Sequence, residues 1–305
     1  MTGNNSHGEK KYMVQDSHGE KYVVTATRFS GTPIKNKCAE KERTRRNEKM
    51  PKVIMIANQK GGVCKTTTSS ALSFILNSWG HKTLLIDADH QRNGSDTYHA
   101  VSDGVATIYD LILDDDPCPI EEAIQHTEYG DVIAGDKGLV FSDRKIQNAD
   151  GYFKLRKALD SLNGYEYVVI DSRPDFDAVL YNLLVATDMV IIPVNSGERY
   201  SVMGLDMFID AIRDVQAHYN PALKLEGILI CNYDGRQKYD RVFLEQAPGI
   251  AAAIGTKVFK TIIRRNIACR DAQTERIPLK LYSPRCNAEK DYETFTKELL
   301  GVKEA

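Results

Sequence analysis

The sequence has no apolar run of the roughly 18 residues that a membrane-spanning helix needs, and its polar amino terminus shows no secretory signal. Its six cysteines, Cys38, Cys64, Cys118, Cys231, Cys269 and Cys286, include no C-x-x-C pair. That spacing argues against both a disulfide framework and a zinc cluster, and a reducing cytosol is the expected compartment. Neither sign of charge dominates. A formal net charge of -2 excludes a uniformly basic nucleic-acid binder but leaves room for a local basic patch. What remains is ordinary globular composition: 305 residues, 42% hydrophobic and 27% charged, enough for one large α/β domain or two small ones.

Residues 1–49 differ from the rest. They carry SHGEK twice, at 6–10 and 17–21, and few apolar residues. From Lys35 to Lys52 eight lysines and arginines face three glutamates. This reads as a charged, mobile amino-terminal extension with at most one short helix, or as an arm that touches nucleic acid. MPKVIMIAN, from Met50, reads like a fresh protein start and opens the second domain, 50–305. There, short β-branched runs at 52–58, 83–89, 167–172, 189–194, 227–233 and 257–263 alternate with helical patterns. Their apolarity is continuous rather than alternating, as in strands buried on both faces of a parallel sheet. Leu205, Phe208, Ile212 and Val215 mark one helix face, and Leu155, Leu159 and Leu162 another. The expected fold is a doubly wound, mostly parallel α/β sheet with ligands at the carboxyl ends of the strands.

NQKGGVCKTTTSS, residues 58–70, lies at such an end. It misses the usual phosphate-loop spacing, because Gln59 and Cys64 stand where glycines are wanted. Its context is nonetheless right: a strand precedes it and a helix follows. Gly61 and Gly62 can turn backbone N–H groups toward phosphate oxygens, and the helix amino end adds partial positive charge. Lys65 can reach β- and γ-phosphates, and the Thr66 hydroxyl can ligate Mg²⁺. The next strand ends with Asp87 and Asp89, and YVVIDS ends with Asp171 beside it. Carboxylates there suit Mg²⁺, which keeps several waters and takes few protein ligands.

KGGVCKTT fits a deviant Walker A form, K-G-G-x-x-K-[ST]. With LLIDADHQRN, YVVIDSRP, VIIPVNSGERYSVMGLD, CNYDGR and IIRRNIACRDAQ in order, the chain from Met50 onward resembles the ParA family of partition ATPases. The resemblance implies an ATP-sandwiched homodimer that hydrolyses ATP with Mg²⁺ and answers to a ParB-like centromere-binding partner. It implies nucleotide contacts along Lys60, Gly61, Gly62, Val63, Cys64, Lys65, Thr66 and Thr67, with Asn232 at the adenine. Lys60 would reach the partner's ATP, Asp89 would orient the attacking water, and Thr66, Asp87 and Asp171 would support the metal. No N-K-x-D guanine signature occurs, which favours ATP over GTP; the sole Asn-Lys pair is Asn36-Lys37.

Four positions depart from the family pattern of Gly, Pro, Gly and Pro: Cys64, His90, Arg92 and Arg173. A side chain at 64 costs ~1 kcal/mol or more if the backbone there is left-handed. Cys64 is also a candidate redox-sensitive thiol. His90, Arg92 and Arg173 read as surface or solvated loop residues.

The resemblance further implies sequence-blind DNA binding and a nucleoid-associated location, with Lys260, Arg264, Arg265 and Arg270 as the local basic patch. A MinD-like membrane ATPase would need a basic amphipathic carboxyl-terminal helix, and YETFTKELLGVKEA is too acidic and too little apolar for that. A nucleotide-dependent scaffold or repressor with negligible hydrolysis is the other alternative.

Overall fold

The computed structural model describes residues 50–146, 148–196 and 205–302, together with the backbone of 10–15 and 21–26. The chain divides into two units, Met1–Lys37 and Cys38–Ala305. In the first, β1 (Lys10–Gln15) and β2 (Lys21–Ala26) pair antiparallel, placing Tyr12 opposite Val24 and Val14 opposite Tyr22. Each strand begins at the lysine that closes one copy of SHGEK, so the sequence repeat is a strand repeat. Aromatic and β-branched residues suit that pairing. Residues 35–49 lie outside the described residues.

The second unit is built on an eight-stranded sheet of order β10-β9-β8-β3-β7-β4-β6-β5. Its strands are β3 (Lys52–Ile56), β4 (Thr83–Ala88), β5 (Ile124–Thr127), β6 (Gly130–Ile133), β7 (Tyr167–Ser172), β8 (Met189–Asn195), β9 (Lys224–Tyr233) and β10 (Val258–Arg264). All neighbours run parallel except β5 and β6. The expected doubly wound, mostly parallel sheet is what forms, with a short antiparallel edge added.

Both faces are covered, which is why the central strands read as unbroken apolar runs. One face packs against helices Lys154–Ser161, Ala178–Ala186 and Leu205–His218, through Leu155, Leu183, Phe208 and Ile212 among others. The other packs against Lys65–Ser78 and Asn287–Leu300, through Leu72, Ile75, Tyr292 and Phe295. The last helix therefore commits its apolar side to the core. Among the described residues no helix is long and apolar enough to cross a membrane. β8 tolerates Pro193 because β3 pairs with it only through Ile191.

The sheet order sets the site. β3 lies between β7 and β8, with β4 beyond the first and β9 beyond the second. The loop leaving β3 thus rises between two pairs of strand ends, where open α/β sheets place their ligands.

Candidate nucleotide site

The loop from Ala57 to Cys64 is fixed by its own amides and by β8. Asn58 Nδ2 donates to the Pro193 carbonyl at 2.8 Å, and Asn58 Oδ1 accepts from the Lys60 N–H at 3.0 Å. Val63 is fully buried and pins the loop's underside. Gly62 has φ +74 and open space where a Cβ would stand, so the turn can pass close to a ligand. Asn195, at the end of β8, donates from Nδ2 to the Gly62 carbonyl at 2.9 Å. Its Oδ1 accepts from Asn232 Nδ2 at 3.2 Å and lies 3.8 Å from Cys64 Sγ. Asn232 is exposed at the end of β9 with φ 55, a conformation asparagine tolerates.

The helix Lys65–Ser78 starts from Cys64, whose φ of 65 is left-handed. The glycine that the family resemblance places there matches a real backbone demand, which this chain meets with a side chain. Arg92, the second such position, also has a left-handed φ of 60. Lys65 is only 7% exposed and donates from Nζ to the Lys60 carbonyl at 2.7 Å. Burial lowers its pKa, while the charges of Asp171, Asp89 and Asp175 pull the other way. The Thr66 hydroxyl opposes the rise of the Asp171 pKa, and Thr67 Oγ1 accepts from Gln273 Nε2 at 2.9 Å.

The carboxylates converge on the other side. Asp87 and Asp171 are register partners on β4 and β7, both buried. Burial raises both above the ordinary carboxylate range, and for Asp171 the Asp87 charge adds to it. They differ in what they touch. Asp87 Oδ2 accepts from the Ser95 N–H and hydroxyl, each at 2.7 Å, and Oδ1 from the Asp89 N–H at 3.0 Å. Asp171 Oδ1 accepts from Ser69 Oγ at 2.8 Å, whereas its Oδ2 is buried without a partner. Gly94 leaves that space clear: a Cβ there would come 3.1 Å from Asp87 Oδ2 and 3.4 Å from Asp171 Oδ2. Asp89, also buried, accepts from the Gln91 N–H at 2.9 Å and has His90 Nδ1 at 3.4 Å from Oδ1.

An all-oxygen set of Thr66 and Asp171 with Asp87 behind, and an orphaned carboxylate oxygen at its centre, fits a hard divalent ion. Among the described residues no three His, Cys, Asp or Glu side chains form a metal cage. Mg²⁺ does not ask for one, because it keeps most of its waters. The same loop, with buried Lys65 at a helix amino end, fits a nucleotide polyphosphate.

Three loop residues expected to be solvated are not. Arg173 is 7% exposed; its guanidinium binds Asp175, donates to the Leu139 carbonyl at 2.8 Å and pairs with Asp177 at 3.2 Å. Arg92 is half-buried and donates to the Ala100 carbonyl at 3.2 Å. His90 is half-buried and faces Asp89 rather than open solvent. The basic patch is uneven too. Lys260, Arg265 and Arg270 are exposed, but Arg264 binds Asp291, with contacts of 2.6 and 2.9 Å.

Sequence reasoning passed over Asn195, Ser69 and Ser95, which hold the loop and the two aspartates. Only the position of Asn195 at the end of a long apolar strand marked it.

The fold and this loop define a phosphate-loop α/β nucleotide-binding domain, and the comparisons narrow the class. The AAA domain family matches residues 51–225. The sporulation initiation inhibitor protein Soj of Bacillus subtilis is 33% identical over 255 residues, covering 82% of this chain and 98% of Soj. The chromosome partitioning protein ParA of Myxococcus xanthus is 34% identical over 254 residues, covering 82% and 88%. The chain belongs to this ParA/Soj family of chromosome-partitioning ATPases. Among solved structures, cobyrinic acid a,c-diamide synthase of Mycobacterium smegmatis with bound ADP and magnesium superposes with a TM-score of 0.70 at 28% identity, covering 82% of this chain and 94% of that one. A putative plasmid partition protein of Borrelia burgdorferi bound to AMPPNP has a TM-score of 0.69 at 24% identity, covering 83% and 100%, a likeness of fold. One architecture thus serves partition proteins and an amide synthase, so function must be argued from the site.

Proposed function

We propose that this protein is an ATP-dependent DNA-partition ATPase, cytoplasmic and nucleoid-associated, which dimerises around ATP and binds DNA without sequence preference. The observation that carries the reading is a buried Lys65 on the loop that leaves β3 and a buried Asp171, its Oδ2 without a partner, at the end of the adjacent strand β7. In this reading Gly61, Gly62, Val63, Cys64, Lys65, Thr66 and Thr67 enclose the polyphosphate, and Asn232 meets the adenine. Thr66 and Asp171 would hold Mg²⁺, with Asp87 supporting Asp171. Bound there, the ion would neutralise charge on the β- and γ-oxygens. Asp89, held by the Gln91 N–H, orients the water that attacks the γ-phosphate. Lys60 acts across the dimer on the partner's ATP, much as an arginine finger does. Lys260, Arg265 and Arg270 contact DNA phosphates; Arg264 contributes less, being neutralised by Asp291. A ParB-like protein stimulates turnover. Residues 1–49 form an appended segment, and its removal leaves cooperative melting of 50–305 intact in a thermal denaturation scan.

Pairing two weak patches in a dimer makes the second contact intramolecular, raising avidity ~100-fold or more. DNA binding should therefore need ATP, fall steeply with salt and ignore sequence. Fluorescence anisotropy on unrelated duplexes, with ATP, ADP and no nucleotide, tests this; equal binding in all three states sinks it. The left-handed backbones at Cys64 and Arg92 favour a second reading, a nucleotide-switched scaffold or repressor with negligible hydrolysis. Single-turnover hydrolysis with and without DNA separates the two.

A further inference from the structure

Four of the six cysteines, distant in sequence, meet on one face of the sheet. Cys231 is fully buried at the end of β9, and Cys64, Cys269 and Cys286 are half-buried against the same cluster. Two of them are closer still. Cys64 Sγ lies 3.8 Å from Asn195 Oδ1, and Asn195 on β8 is the register partner of Cys231 on β9. Register partners on parallel neighbours present their side chains to one face, so the Cys231 side chain stands beside that of Asn195, which Cys64 Sγ touches. Cys64 is half-buried on the loop and Cys231 is sealed in the core, an order of burial that suits an attacking and a resolving cysteine.

We propose that Cys64 and Cys231 form a modification site, at which a hydroperoxide converts the two thiols into a disulfide that pins the phosphate loop to β9. Cys64 sulfur attacks the outer oxygen of the hydroperoxide. The O–O bond breaks, the inner oxygen leaves as an alcohol (as water when the oxidant is hydrogen peroxide), and Cys64 becomes a sulfenic acid. Cys231 sulfur then attacks Cys64 sulfur. An S–S bond forms, the S–O bond breaks, and the departing hydroxide takes the Cys231 proton and leaves as water. Two thiols have lost two electrons and two protons, and the peroxide has gained them.

The consequence rests on the proposed reading that loop 58–67 encloses ATP phosphates. Cys64 sits between Gly62, whose carbonyl Asn195 holds, and Lys65, whose ammonium lies on the Lys60 carbonyl. To engage a phosphate, Lys65 must redirect that ammonium, and the backbone at 64 is the pivot. A covalent tie from residue 64 into the sheet removes the pivot's freedom. Oxidation should thus act as a reversible brake on nucleotide binding, reset by thiol exchange with a reductant.

The test uses the full-length protein, hydrogen peroxide near stoichiometric amounts, and digestion without reduction. Mass spectrometry should find the peptides of Cys64 and Cys231 joined and two hydrogens lighter. Calorimetry should show ATP affinity falling about tenfold on oxidation and recovering with dithiothreitol, about 1.4 kcal/mol each way. Cys231→Ser should bind ATP like the reduced protein and resist the peroxide effect; Cys231→Ala serves if serine is not tolerated at that buried position. Links between other cysteine pairs, or Cys64 passing directly to sulfinic acid, overturn the proposal. So does a 64–231 link that leaves ATP affinity unchanged. Failure of the reduced protein to bind ATP counts instead against the nucleotide reading, while the cross-link still decides the thiol pair.

Discussion

The two flanks of the phosphate loop share a backbone and differ in chemistry. On the β7 and β4 side the strand ends supply Asp171, Asp87 and Asp89, buried carboxylates, and the charges of Asp171 and Asp89 act on the buried Lys65. On the β8 and β9 side the strand ends supply Asn195 and Asn232, amides without formal charge. Parallel strands deliver their ends in nearly equivalent geometry, so the identity of one residue per strand decides what each flank does. The acidic flank stores electrostatic free energy that a cation and polyphosphate can release. The amide flank holds the loop's shape and, in the proposed reading, would present a surface for an uncharged base.

Removing charge on the acidic flank should therefore have the largest effect. Lys65→Ala should lose ATP affinity by ~100-fold or more, since charge-assisted hydrogen bonds contribute ~1.5–3 kcal/mol each. Titration calorimetry reads this directly, and unchanged affinity would break the comparison.

Next comes pH. Asp171 and Asp87 have folded pKa values raised by burial, so between the ordinary and raised values the folded state binds protons that the unfolded chain has released. Stability of the metal-free protein should then fall as pH rises from about 4 toward neutrality, with a slope approaching ~1.4 kcal/mol per pH unit for each such proton. Asp171→Asn should flatten that slope. Urea melts at several pH values check it; an unchanged slope would place the ionisation elsewhere.

A smaller effect is due on the amide flank. Asn195→Ala leaves the Gly62 carbonyl without its donor and should weaken ATP binding about tenfold, ~1.4 kcal/mol, with little change in the pH slope. An effect as large as that of Lys65→Ala would mean that the two flanks do not divide charge from shape.

The smallest effect concerns strain. Cys64→Gly and Arg92→Gly each remove a left-handed side chain, a gain of ~1–2 kcal/mol, and restore glycine's unfolded freedom, a loss of ~0.5–1 kcal/mol. Each should shift stability by about 1 kcal/mol or less in thermal melts. Destabilisation beyond that would show that the side chain's contacts outweigh its backbone.

These flanks were unequally legible in the sequence. The six long strands stood out because burial on both faces leaves unbroken runs such as VVI and VII, and a carboxylate ending such a run is conspicuous. Asn195 ends one as well, but an asparagine there resembles any turn residue until its partners, Gly62 and Asn232, are brought to it. β5, with IQHT mostly half-buried at the sheet edge, has no apolar run to betray it. β1 and β2 were hidden by the polar SHGEK repeats preceding each. Arg92 and Arg173 looked like solvated charge because carbonyls such as those of Ala100 and Leu139 are invisible to spacing.

The Thr68 hydroxyl and the Tyr292 hydroxyl lie 3.2 Å apart, joining the helix that follows the phosphate loop to the chain's last helix. Their sequence separation of 224 residues sets a clock on the ribosome. At roughly 5–20 residues per second, some 10–45 s pass between the synthesis of the two. Throughout that interval Leu72, Ile75 and Leu76 lack the cover that Tyr292 and Phe295 later provide. The nascent chain holds its phosphate-loop sequence long before it can complete the wall behind it, and a chain cut short before residue 287 would carry that apolar face uncovered.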